Sequence, residues 1–358
     1  MIVLRLAAFA LGLYIVGYTV LSAIRAFVLP RAAQVTLIRW VFAFTGLFFK
    51  LRARRVGGYA ERDRIMALYA PISLILASFV LLTLVLIGYM FIYWGLGGGT
   101  VDQIMRLSGS SLLTLGNFTD NRTEFVIVEF SEAMLGMVLV ALLIAYLPTM
   151  YAAFTRRETQ VALLEVRAGT PPAPGELISR SFRTGELALM REFWNDWQVW
   201  FAEIEESHTS LPALTHFRSP RPELSWVTAA GVVLDAAALM LSTVDVPPEP
   251  RAAFCIRSGY LALRQIAGYF QVPFNPTPAP DDPISIGRDE FEAVYDRLQA
   301  EGVPLKADRD AAWRGYAGWR VNYDTVLLAL AALTMAPYAP WTSDRSLAPT
   351  AGKRRPAK

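Results

Sequence analysis

Residues 108–120 read SGSSLLTLGNFTD and crowd hydroxyl, amide and carboxyl groups around Gly116. Oxygen-rich groups of this kind replace water around a cation, and their row includes no nucleophile beside a base. Three acids follow within a few turns, Glu124, Glu129 and Glu132. Carboxylates repeated around a symmetric opening concentrate cations, and an acid row at a headgroup boundary is the equal alternative. The only histidines, His208 and His216, stand eight residues apart with Pro212 between them. That matches no strong ligand spacing, so they read as surface residues and no metal is expected. The single cysteine, Cys255, excludes an internal disulfide and a Cys-based metal site. With no Ser-His-Asp set, no paired acids, no phosphate loop and no dinucleotide fingerprint, neither an enzyme nor a cofactor is expected.

The elements that would hold these oxygens are apolar. The chain has 358 residues, 54% of them hydrophobic, and a net charge of only +3. This composition points to a membrane protein and gives no case for nucleic-acid binding. Residues 6–24, 65–101 and 133–155 contain no charged side chain. Each reaches the roughly 20 residues that a helix needs to cross a bilayer. The first run reads as a span, not as a cleaved signal, because no small-x-small pattern precedes LPRAAQ.

Residues 35–55 are different. The uncharged core between Arg39 and Lys50 is short for a span, and Arg31, Arg39 and Lys50 share one helical face with aromatic residues over much of the rest. The stretch therefore reads as a basic helix lying in the interface, with a fourth span as the alternative. Lys50, Arg52, Arg54, Arg55, Arg62 and Arg64 precede the second strong span, and Arg156 and Arg157 follow the third. The positive-inside rule places both groups in the cytoplasm, the N-terminus outside and the protein in the plasma or inner membrane.

Residues 102–113 allow about 18 Å of helix, too little to cross but enough to dip in and turn back. Span, short helix, a Thr-x-Gly signature closing on an acid, then a second span: in these features residues 65–157 resemble the two-span pore module of the potassium-channel superfamily. The resemblance places Thr114, Leu115, Gly116 and Asp120 on the family's Thr, Val, first Gly and closing Asp. It implies a homotetramer whose backbone carbonyls form ion-binding rings for monovalent cations, potassium or sodium. Asn117, Phe118 and Thr119 stand where the family has an aromatic residue and a second glycine, and the run is one residue longer. That departure implies weaker discrimination between the two ions.

The expected organisation is all-α: an N-terminal span in 1–31, an interfacial helix and linker in 32–64, and the pore module in 65–157. Within the module lie an outer helix 66–97, a pore helix 102–113, the filter 114–120 and an inner helix 125–155, where Gly136 and Pro148 are candidate gating hinges. Residues 158–340 read as a helical cytoplasmic domain and 341–358 as a basic tail able to touch anionic lipid. In that domain Leu187, Met190, Trp194, Trp197, Phe201 and Ile204 recur at helical spacing, and residues 307–336 read as one helix. The first pattern suits a packed helix, or alternatively a subunit-joining coiled coil. A non-conducting scaffold that binds a partner through this domain is the rival to a cation channel.

Overall fold

A computed structural model describes residues 1–29, 35–187 and 190–345. Arg31, the first residues of the expected interfacial segment and the GKRRPAK tail lie outside the described residues. The described residues form thirteen α-helices and no β-strand beyond one isolated bridge between Val244 and Leu305. They separate into two compact units, Met1–Gly57 with Ile65–Ala152, and Gly58–Arg64 with the chain from Ala153 onward.

The first unit holds α1 (Ile2–Phe27), α2 (Thr36–Arg54), α4 (Tyr69–Gly95), α5 (Val101–Leu112) and the first part of α6 (Thr123–Ala168). α3 (Tyr59–Ala67) begins in the second unit and ends in the first. Among the described residues, three helices are long and apolar enough to cross a membrane: α1, the stretch ending with α4, and α6. α1 and α4 pack antiparallel through small residues. A Cβ on Gly12 would come within 2.5 Å of the Gly88 carbonyl oxygen, and one on Gly95 would meet Phe9 and the Arg5 carbonyl. The end of α1 and the start of α4 therefore lie at the same end of the pair, and α2, between them in the chain, makes no net crossing. Its Thr45 hydroxyl lies 2.6 Å from that of Ser73, and Tyr69 donates to the Phe42 carbonyl at 2.9 Å. Trp40, Phe44, Leu47, Phe48 and Leu51 form an exposed apolar stripe on α2.

The second unit is built around α9 (Trp226–Ser242), in which every residue but Leu241 is buried. α7 (Pro174–Arg183), α10 (Pro250–Tyr269), α12 (Arg309–Arg320) and α13 (Asp324–Thr334) pack on it, with α8 (Arg191–Ser210) against α10 and α11 (Arg288–Ala300) against α7. Trp194, Trp197, Trp200, Phe201 and Ile204 of α8 are all buried, so its aromatic stripe belongs to this core and to no coiled coil. Leu187 and Met190 are buried too but precede the helix. The single helix expected over 307–336 is two. The chain turns at residues 321–323, where the Asn322 side-chain amide donates to the Gly318 and Trp319 carbonyls and closes α12. The left-handed residue Met335 ends α13.

Candidate functional site

α5 starts from a full capping box. Thr100 accepts from the Gln103 backbone N–H, and the Gln103 side chain accepts from the Thr100 N–H. Its apolar face, Ile104, Leu107 and Leu112, is buried in the core of the first unit. Ser108 reaches the Leu86 carbonyl at 3.2 Å. Leu112 at the far end lies against Gly136, where a Cβ would come within 2.5 Å of the Leu112 carbonyl oxygen. At 1.5 Å per residue, Gly136 lies about 20 Å along α6 from Thr123. The start of α5 follows the end of α4, yet its C-terminus sits that far down α6. Residues 113–122 return from this depth to the start of α6, within the roughly 33 Å that ten extended residues can span.

The returning segment is held by hydrogen bonds to α5 and α6. The Leu115 and Phe118 N–H groups donate to the Ser110 carbonyl and hydroxyl oxygens at 2.8 and 3.1 Å. Higher up, the Asp120 N–H donates to Glu129 at 2.9 Å. Arg122 pairs with Asp120 at 2.7 Å and lies 3.7 Å over the Phe125 ring. The closing acid is thus compensated by a guanidinium two residues on. Residues 114–119 are exposed in the single chain. Gly116 has φ +66° and Thr114 φ +55°, the latter uncommon for a β-branched residue. No atom lies within 4 Å of a Cβ built on Gly116, so the backbone angle, not crowding, favours glycine there.

The three acids do not share one environment. Glu124 is exposed and Glu129 is largely buried. Glu132 is wholly buried, accepting from Ser108 of α5 and from Tyr93 of α4 at 3.0 Å. It faces its own chain. α6 runs unbroken through both Gly136 and Pro148, and Gly136 serves the close approach of α5.

In the second unit, the histidine expectation is corrected. His208 is fully buried against the Trp226 ring at 4.8 Å, and His216 is half-buried beside Phe270. The His208 Nε2 lies 3.2 Å from a guanidinium nitrogen of Arg157, which also donates to the Leu214 and Phe217 carbonyls at 2.8 Å each. Burial, and then the Arg157 charge, push His208 well below its ordinary pKa. Arg157 also pairs with its neighbour Glu158 at 2.7 Å, but its bonds to His208 and the two carbonyls join residues more than 50 positions apart, so no local motif announces them. Arg218 likewise binds Asp63 at 2.6 Å and the Thr334 carbonyl at 2.7 Å. Among the described residues, no group of three His, Cys, Asp or Glu side chains could hold a metal ion.

No protein-family model, curated protein or solved structure matches the chain.

Proposed function

We propose that the protein is an oligomeric membrane channel for monovalent cations, with residues 100–122 forming a re-entrant pore helix and filter loop. One observation carries the reading. The Leu112–Gly136 contact lies about 20 Å down α6, and ten residues bring the chain back up. Irregular backbone at such depth is tolerated only where it is buried in protein or lines water. The exposed backbone of residues 114–119 suits the second condition.

One loop cannot enclose a path, so copies must surround an axis, four in the two-span pore architecture that this segment resembles. The exposed apolar residues of α6, among them Phe130, Met134, Met137 and Ile144, are available to lipid and to neighbouring copies. The carbonyls of residues 114–117 replace ion hydration. With Asn117, Phe118 and Thr119 in the loop and Asp120 paired with Arg122, the site favours cations over anions but separates sodium from potassium weakly. The positive-inside bias puts α2 on the cytoplasmic face, its aromatic stripe in the interface, and the second unit in the cytoplasm as a regulatory or assembly domain.

The test is ion flux in vesicles containing the purified full-length protein, with its mass measured in mild detergent. A tetramer with cation flux and a sodium-to-potassium permeability ratio within about tenfold of one, some 1.4 kcal/mol, is expected. A monomer without flux would favour the scaffold.

A further inference from the structure

Glu132 has no part in the cation path as described, yet it is fully buried on an apolar helix. A carboxyl so placed is costly unless its oxygens are satisfied, and its presence on a span marks a functional position. The cations on the adjoining segments are engaged elsewhere, Arg106 with Asp102 and Arg122 with Asp120. The nearby Glu129 accepts from the Asp120 backbone. What meets Glu132 is a pair of hydroxyls, Tyr93 on α4 at 3.0 Å and Ser108 on α5, whose oxygen also lies 3.2 Å from the Leu86 carbonyl.

The spacing gives this cluster its meaning. Ser108 and Leu112 are four residues apart on α5, and their partners Glu132 and Gly136 are four apart on α6. The two helices therefore meet at successive turns, first through a hydrogen bond and then through a backbone contact. Apolar surfaces attract without direction and resist sliding poorly. A hydrogen bond with fixed partners defines one register. We propose that Glu132 is the positioning residue of the loop: it fixes how deep α5 sits along α4 and α6, and so where residues 113–122 begin their return. This rests on the pore reading for its functional consequence, though not for its geometry.

The experiment uses the full-length protein in phosphatidylcholine vesicles, with Cys255→Ala and Leu113→Cys as the common background. Leu113 is exposed just past the end of α5, and its labelling by an impermeant thiol reagent reports the depth of that end. Glu132→Gln keeps an acceptor for Tyr93 and supplies an N–H to Ser108, whereas Glu132→Leu removes both. Labelling should change by about tenfold in Glu132→Leu and by less than about twofold in Glu132→Gln, with the sodium-to-potassium ratio following the same order. Ser108→Ala, a smaller change, should shift labelling in the same direction and serves if Glu132→Leu fails to fold. Labelling unchanged in both Glu132→Leu and Ser108→Ala would overturn the assignment, as would a Gln variant as altered as the Leu variant. Vesicles without flux in the parent protein would sink the pore reading alone, because the labelling still reports whether Glu132 sets the register.

Discussion

In the second unit Asp235 is fully buried and receives three donors, the Arg320 guanidinium at 2.6 Å and the Tyr323 and Tyr316 hydroxyls at 2.8 and 3.2 Å. In the first unit Glu132 is equally buried and receives two hydroxyls and no cation. Arg320 also pairs with Asp324 at 2.7 Å and donates to the Trp341 carbonyl at 2.7 Å, while Asp324 accepts from Ser285. This network joins α9, α12, α13 and two loops. Burial disfavours the Arg320 cation, and Asp235 and Asp324 more than offset that, holding its pKa well above the ordinary value. Charge is met with charge where the surrounding core is polar enough to finish every bond. Where the helices expose apolar faces such as Phe79, Met134 and Ile144, a carboxyl is met with neutral hydroxyls. An unpaired guanidinium is far more costly in hydrocarbon than a tyrosine or serine hydroxyl, which suits a carboxyl carried on a helix apolar enough to cross a membrane.

The largest test of this contrast is Asp235→Ala. It leaves the buried Arg320 guanidinium with Asp324 as its single carboxylate and strands two hydroxyls, and should cost about 3–5 kcal/mol, read as a lowered melting temperature of the second unit. Replacing both partners, Asp235→Leu with Arg320→Met, should cost less than Asp235→Ala alone, because the buried guanidinium is gone and Asp324, the one charge left, keeps the Ser285 N–H and hydroxyl. If the double replacement is the worse of the two, the network contributes net stability through its ionic bonds and the comparison with Glu132 fails.

A smaller effect is expected in the loop of the first unit. Gly116→Ala meets no atom, so its cost is the left-handed backbone alone, about 1–2 kcal/mol. Asparagine tolerates that conformation better, so Gly116→Asn should fall between the glycine and alanine proteins in thermal stability. Equal costs for Asn and Ala would mean that the loop takes a different backbone in the assembled protein.

Parts of this arrangement were legible in the sequence, and the boundary is physical. Uncharged runs of spanning length gave α1, α4 and α6, because a bilayer constrains every residue along a crossing helix. The Thr100–Gln103 capping pair and the serines of 108–111 are local signals, and they sit at the start and on the buried side of α5. A helical acid near a membrane boundary, such as Glu132, has the same sequence signature whether it faces water or its own neighbours. One clue lay in view: Asp235 stands alone within the apolar run WVTAAGVVLDAAALMLS, and a lone acid there demands a buried partner. Which residue supplies it, Arg320 some 85 positions later, depends on tertiary packing that no periodicity encodes. The same holds for His208, whose Arg157 partner lies on another helix.

His208 supplies the smallest effect and a pH signature for the second unit. Burial, and then the Arg157 guanidinium facing its Nε2, hold the ring neutral and its pKa well below the ordinary value. The unfolded chain takes up a proton near pH 6.5, whereas the folded chain does so only at lower pH. The unfolded state thus binds more protons between those two values, and stability rises with pH across that window. The contribution is fully present above about pH 6.5 and is lost as the pH falls toward the folded value, by at most about 1.4 kcal/mol per pH unit for one proton. His208→Gln keeps an acceptor for Arg157 but cannot titrate. Its melting temperature should therefore fall less than that of the parent protein between pH 6.5 and 5.5, with His216→Gln as the half-buried control. Other acid-sensitive groups act equally in all three proteins and cancel in the comparison. Parallel pH profiles for the parent and His208→Gln proteins would show that the fold does not shift the titration of His208, and that the Arg157 charge, held by Glu158 and by the Leu214 and Phe217 carbonyls, does not reach the ring.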